Sequence, residues 1–254
     1  MEMRFLGKVA VIAGASEGIG RATAQLMAGE GATVVAVARN AENLGSLAAE
    51  PVEGPGVVEG FPADLVSEEA VVAVVDHVVK AHGRIDILVN NIGGSTIVAK
   101  PFATVEDTSL DDFERMLRFN LVPTFLMCKY AGAVMKRQGS GKIVNLSSLS
   151  ARGHSSISPY GAAKAGIESF TTKLSRELGP FGINVNAVAP GLVLTDRINR
   201  TIGAVSPEVR AERVKSIPLR RDSQPEDQAR VIAFLCSSDA DMVTGSTLDV
   251  SGGL

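Results

Sequence analysis

Two kinds of hydrophobic pattern alternate along the chain. Short apolar runs, most of them rich in β-branched residues, occupy 8–13 (KVAVIA), 33–38 (TVVAVA), a stretch leading to 63–65 (ADL), 86–89 (DILV), 142–146 (KIVNL), 183–188 (INVNAV) and 247–250 (TLDV). Each predicts a buried strand. Between them apolar positions recur every three or four residues, which predicts helices over 21–29, from an N-cap at Ser67 to about His82, over 110–137, over 158–178 and from Pro225 to about Ser237. Alternation of this kind predicts one α/β domain over 1–254, a doubly wound parallel sheet of about seven strands with helices on both faces. Ligands of such sheets lie at the carboxyl ends of the strands.

Composition narrows the partners. The chain has 254 residues, 45% of them hydrophobic, and a net charge of only -3, which gives no electrostatic case for nucleic acid or anionic membrane and leaves a small molecule. Cys128 and Cys236 are far apart and fall in helical apolar patterns, so buried free thiols in a reducing cytoplasm are expected. His77, His82 and His154 do not cluster, so no metal site is expected. No apolar run approaches the roughly 18 residues of a membrane span.

The polar residues with chemical potential follow the strands. GASEGIG, 14–20, joins the first strand to an Ala-rich helix. Gly14 can take the angles of a tight turn, while Gly18 and Gly20 leave room for a pyrophosphate over the helix N-terminus. The spacing G-x-x-x-G-x-G is not the common dinucleotide fingerprint, and an ordinary tight turn is the competing reading. Ala38 and Arg39 end the second strand, where a cation suits a ribose 2′-phosphate and a carboxylate would suit a free 2′-hydroxyl. That favours NADP(H) over NAD(H), with Glu17 in the glycine loop as the opposing charge. Asp64 follows the third strand, within reach of an adenine edge. Asn90, Asn91, Gly93 and Gly94 follow the fourth. Asn120 lies inside a helical pattern, where asparagine is unfavourable and needs a reason. Tyr160 and Lys164 fall one turn apart on a helix face, a spacing that alone describes an ordinary surface pair. Residues 192–218, with Arg197, Arg200, Arg210, Arg213 and Lys215, read as a lid over the strand ends.

In this order and combination, GASEGIG, Asp64, NNIGG at 90–94, Asn120, NLSS at 145–148, Tyr160-x-x-x-Lys164, Pro190-Gly191 with Thr195, and the final DVSGGL resemble the short-chain dehydrogenase/reductase family over essentially the whole chain. The resemblance implies a Rossmann-type oxidoreductase that interconverts a carbonyl and a secondary alcohol with a nicotinamide cofactor. It implies a cofactor site of Gly14, Ser16, Gly18, Ile19, Gly20, Arg39, Asp64, Leu65, Asn91, Gly93, Tyr160, Lys164, Pro190, Gly191, Val193 and Thr195. Ile92 replaces the alanine usual in the family's NNAG motif. The implied catalytic set is Asn120 holding a relay water, Ser148 orienting the carbonyl oxygen, Tyr160 as general acid/base, and Lys164 binding ribose hydroxyls and lowering the tyrosine pKa. Bringing a phenol from about 10 to about 7.5 takes roughly 3.4 kcal/mol. An ammonium about 5 Å away at an effective dielectric near 20 supplies about that much.

Several alternatives stay open at this level. Loop length in many relatives would select Ser147 over Ser148, whereas alignment from the strand selects Ser148 and places the two hydroxyls on opposite faces. A 3-oxoacyl-thioester reductase acting on an acyl carrier protein is the nearest alternative activity, although Phe181 stands where such enzymes tend to carry an arginine. An NAD-dependent alcohol or sugar dehydrogenase and a non-catalytic NADP(H)-sensing protein are the others. Arg152, His154 and the lid predict a polar, partly basic substrate wall and a carbonyl substrate bearing an anionic or oxygen-rich group. The family's usual homotetramer would form through the helices beginning near Leu110 and Ser158.

Overall fold

The computed structural model describes residues 3–154, 157–196, 198–199 and 206–254. In chain order the elements are β1 (Val9–Ala13), α1 (Gly18–Gly29), β2 (Thr33–Ala38), α2 (Ala41–Ala49), β3 (Val57–Pro62), α3 (Glu68–His82), β4 (Ile87–Asn90), α4 (Leu110–Gln138), β5 (Gly141–Leu146), α5 (Ser158–Leu178), β6 (Ile183–Pro190), α6 (Pro207–Ser216), α7 (Pro225–Cys236) and β7 (Thr247–Val250). The strands form one seven-stranded sheet in the order β3-β2-β1-β4-β5-β6-β7, and each neighbouring pair is parallel.

Strand alternation divides the core between the two faces. Ala10 and Ile12 of β1 join Val34 and Ala36 of β2 in a cluster under α1, α2 and α7, with Met27, Leu44, Leu47 and Ile232. Val9, Val11 and Ala13 face the other way with Val35 and Val37, against Val71, Val74, Met127 and Leu174 of α3, α4 and α5. Because both faces are covered, the central strands read as continuous apolar runs without polar alternation.

Helix ends follow local chemistry. Ser67 Oγ accepts from Ala70 N–H at the start of α3, and Ser109 Oγ accepts from Asp112 N–H at the start of α4. Gly83 and Gly139 end these helices at φ +76° and +73°, the left-handed conformation that glycine adopts without strain. The chain runs outward from β1 to β3 and then returns to place β4 on the other side of β1. A crevice opens at that reversal, above the carboxyl ends of the strands. Cys128 and Cys236 are free and buried, and burial pushes the Cys128 thiol up to about 12. No helix among the described residues is long and apolar enough to cross a membrane.

Candidate active site

The crevice is a cleft of about 940 Å³. One end is built by the turn between β1 and α1. Gly14 N–H donates to Val37 O, and Asn91 Nδ2 donates to Gly14 O at 3.0 Å, so the turn is tied to β2 on one side and to the end of β4 on the other. A side chain at Gly20 would put its Cβ 2.2 Å from Gly14 O and 2.7 Å from Asn91 Nδ2. Gly18 holds φ +58°, and a Cβ there would lie 2.8 Å from Thr195 Cγ2, which seats the segment after β6 directly on the glycine turn. Gly20→Ala is therefore expected to break the Asn91–Gly14 bond and cost about 1–3 kcal/mol. It should also weaken dinucleotide binding at least about tenfold. Urea unfolding and NADPH fluorescence titration measure the two effects.

Towards the adenosine end the lining passes Ser16, Glu17, Ile19, Arg39, Asp64 and Leu65. The Arg39 guanidinium lies 5.6 Å from the centre of the Phe119 ring. A smaller cleft of about 410 Å³ continues outward from Arg39 and Asp64 and brings in Arg115 and Arg118 of α4. None of these three arginines makes an ion pair among the described residues.

At the other end lie Asn91, Gly93, Ser148, Tyr160, Lys164, Pro190, Gly191, Val193 and Thr195. Asn120 is fully buried in α4. Its Nδ2 donates to Gly94 O at 3.1 Å and to Met116 O at 3.0 Å, while its Oδ1 accepts from Gly94 N–H at 2.9 Å. The unfavourable helix position thus has a reason: the side chain pins the 93–94 loop. Both amide donors are consumed, and one acceptor site on Oδ1 remains for a water. Gly93 leaves no room for a side chain, because a Cβ there would stand 2.8 Å from both Asn120 Oδ1 and Lys164 Nζ.

The two serines part company at the end of β5. Ser147 is buried, and its Oγ lies 2.9 Å from Glu168 Oε1 and 3.2 Å from Lys164 O. Ser148 is half-buried on the cleft, and its Oγ accepts from Ser150 N–H. Lys164, one turn after Tyr160 on α5, donates from Nζ to Leu146 O at 2.7 Å and lies 5.7 Å from the centre of the Tyr160 ring. Burial pushes its ammonium down to about 7. The positive charge expected on Lys164 is therefore fully present only below that pH in the protein alone.

A layer beneath the cleft pairs residues whose contact the sequence does not indicate. Asn90 Nδ2 donates to Asn145 Oδ1 at 2.9 Å, and Asn145 Nδ2 donates to Thr171 Oγ1 at 3.0 Å, which locks β4, β5 and α5 together below the catalytic residues. The expected polar, partly basic wall is corrected at one residue. Arg152 turns away from the cleft and donates to Asp249 and Glu168 instead. His154 does line the cleft, with Ser95, Thr96, Phe102, Ile157 and Leu192. Arg213 also lines it, with NH2 held by Asp222 Oδ1 at 2.6 Å. Arg197 and Arg200 lie outside the described residues.

This geometry has close parallels. A family model described as enoyl-(acyl carrier protein) reductase matches residues 14–254. The chain is 37% identical to a 3-oxoacyl-[acyl-carrier-protein] reductase FabG of Aquifex aeolicus, with 100% of both chains covered. It is 40% identical to a 1,6-dihydroxycyclohexa-2,4-diene-1-carboxylate dehydrogenase of Pseudomonas putida, covering 100% of this chain and 94% of that one. Among solved structures, a 7 alpha-hydroxysteroid dehydrogenase complexed with NADH and 7-oxo glycochenodeoxycholic acid superposes with a TM-score of 0.90 at 32% identity, covering 99% of this chain and 96% of that one. A short-chain type dehydrogenase/reductase from Mycobacterium ulcerans superposes with a TM-score of 0.91 at 29% identity, covering 98% and 90%. The chain belongs to the short-chain dehydrogenase/reductase family and is an oxidoreductase of alcohol and carbonyl groups.

Proposed function

We propose that this enzyme is an NADP(H)-dependent reductase of a ketone or aldehyde, or the matching alcohol dehydrogenase, with Tyr160 as general acid/base. The observation that carries the reading is the convergence of Ser148, Tyr160 and Lys164 on the cleft that begins at the glycine turn. The residues present fit a dinucleotide: Gly14, Ser16, Gly18, Ile19 and Gly20 would make room for the pyrophosphate at the N-terminus of α1, Asp64 and Leu65 would hold the adenine, and Asn91, Gly93, Lys164, Pro190, Gly191, Val193 and Thr195 would hold the nicotinamide half. That cofactor supplies the hydride. The chain supplies the rest. Ser148 Oγ donates to the carbonyl oxygen and fixes its position, Tyr160 Oη delivers the proton to it, and Asn120 holds a water through its remaining acceptor site. In the alcohol-oxidising direction the phenolate takes the proton back.

The choice of NADP(H) rests on Arg39, whose guanidinium has no carboxylate partner among the described residues, with Arg115 and Arg118 adding positive charge beyond it. Glu17 opposes it from the glycine turn. A charge-assisted bond to a phosphate contributes about 1.5–3 kcal/mol, so NADPH is expected to bind about tenfold or more tighter than NADH, and Arg39→Ala should erase most of the difference. Fluorescence titration with both cofactors at matched ionic strength tests this; a preference for NADH refutes it.

With Arg152 withdrawn, the substrate wall is a mixture of Phe102, Ile157 and Leu192 with His154, Ser95, Thr96 and Arg213. This supports a carbonyl on a body that joins apolar area to polar or anionic groups, a class that includes substituted ring ketones and 3-oxoacyl thioesters. We place the enzyme in the cytoplasm as a homotetramer built through α4 and α5. Phe125 of α4 is exposed and meets Phe170 of α5 in edge contact, ring centres 6.2 Å apart, and Phe113, nearer the start of α4, is exposed as well.

A further inference from the structure

Arg152 closes the short 3₁₀ turn Leu149–Arg152 that directly follows Ser148. Its NH1 donates to Asp249 Oδ1 at 2.6 Å and Oδ2 at 2.7 Å on β7. Its NH2 and Nε donate to Glu168 Oε1 at 3.2 Å and Oε2 at 3.3 Å on α5. Glu168 Oε1 is also the acceptor of Ser147 Oγ, the neighbour of Ser148. One guanidinium thus joins the end of β5, the helix that carries Tyr160 and Lys164, and the edge strand β7. Glu168 lies one turn beyond Lys164 and two beyond Tyr160 along the same face of the helix, so the helix is gripped on the face that carries the chemistry, further from the cleft.

We propose that Arg152, Glu168 and Asp249 are positioning residues that set the distance between Ser148 and the Tyr160–Lys164 pair without touching substrate. The inference rests on the roles given above to Ser148 and Tyr160. At the front of the turn, Ser148 Oγ accepts from Ser150 N–H, so the turn that Arg152 anchors also orients that hydroxyl. At the back, Glu168 holds Ser147 and with it the strand end whose Leu146 carbonyl receives Lys164 Nζ. The side chains of Arg152, Glu168 and Asp249 are 39%, 20% and 40% exposed, so the network adds little to global stability and its loss should leave a folded protein. Its contribution is geometric. Without it the strand end and helix can separate, and the Ser148 hydroxyl and Lys164 Nζ draw away from the Tyr160 oxygen, so its phenolate loses the donors that stabilise it.

The test needs no substrate. The chain has no tryptophan and two tyrosines, so in a Tyr130→Phe background ultraviolet absorbance reports the ionisation of Tyr160 alone. Adding Arg152→Met is expected to raise the Tyr160 midpoint by about half a pH unit or more towards the ordinary phenol value. Arg152→Lys should restore part of the shift and Asp249→Asn should give a smaller one, while NADPH affinity changes by less than about twofold. Because the residues act as one unit, Arg152→Met with Asp249→Asn should shift the midpoint no further than Arg152→Met alone. An unmoved midpoint in both Arg152→Met and Asp249→Asn overturns the inference and leaves the assignment of Tyr160 intact. A Tyr160→Phe enzyme as fast as wild type overturns that assignment, and the inference with it.

Discussion

Tyr160→Phe is expected to lower turnover of any carbonyl substrate by about 10²–10⁴-fold, the range a positioned general acid supplies, with NADPH affinity nearly unchanged. The substitution deletes one hydroxyl and keeps the ring that lies beside Lys164. Hydride delivery to a carbonyl builds negative charge on oxygen. Without the phenol that charge has only the Ser148 hydroxyl to meet it, and a serine is too weak an acid to give up its proton near neutrality. Stopped-flow binding of NADPH and steady-state turnover separate the two effects. Loss of binding in parallel with loss of rate would move Tyr160 from chemistry to cofactor recognition.

Lys164→Met should be nearly as damaging to turnover, about 10²-fold or more, because the acid then loses the cation that tunes it. It also carries a signature in stability that a packing role would not produce. Burial lowers the folded pKa of Lys164 to about 7, against the ordinary 10.5 of a free lysine. Between those values the unfolded chain binds more protons than the folded one, so this group makes stability rise with pH across that window and lose the increment as pH falls through about 7. The limiting slope is about 1.4 kcal/mol per pH unit. Urea unfolding at pH 6.5 and 8.5 should therefore show wild type gaining stability relative to Lys164→Met as pH rises. The buried thiols titrate in the unfolded chain only towards and above the upper end of this range, so they do not mask the sign. Parallel pH dependences for the two proteins would mean that Lys164 stays charged in the folded state throughout.

The strands and most helices were legible because their signals are local. Buried parallel strands write continuous β-branched runs, and Ser67 caps α3 where its side chain and the acidic first turn place it. The helix α2 escaped notice: AENLGSLAA is nine residues long, carries Gly45 in its interior and buries only Leu44 and Leu47. The one available signal was Asn40, whose side chain accepts from Asn43 N–H as an N-cap.

Within the site, legibility followed sequence separation. The glycine turn, Asp64, Asn91 and the Tyr160–Lys164 pair each sit beside their own strand or helix, so spacing placed them on the cleft, whereas Asn90 ends β4 and is buried beneath it. Strand alternation placed the Ser147 and Ser148 hydroxyls on different faces, and Ser147 is indeed spent on α5. Arg152 was misread as substrate wall because its partners are 16 and 97 residues away, and nothing local marks an arginine as already occupied. The Asn90–Asn145–Thr171 chain was invisible for the same reason, spanning 55 and 26 residues. The lowered Lys164 pKa comes from burial, and Gly93, on the loop that Asn120 holds from another helix, lies close against its Nζ. Only the assembled fold supplies that desolvation.

The most direct test of the central claim is the rate of NADPH oxidation, followed at 340 nm, when the wild-type enzyme meets a panel of ring ketones, 3-oxoacyl thioesters, keto acids and ketoses at neutral pH. The reading predicts that at least one carbonyl is reduced with one NADPH consumed per alcohol formed, and that Tyr160→Phe abolishes the same reaction. NADPH that binds but is not consumed with any member of the panel, or a Tyr160→Phe enzyme as fast as wild type, would contradict it.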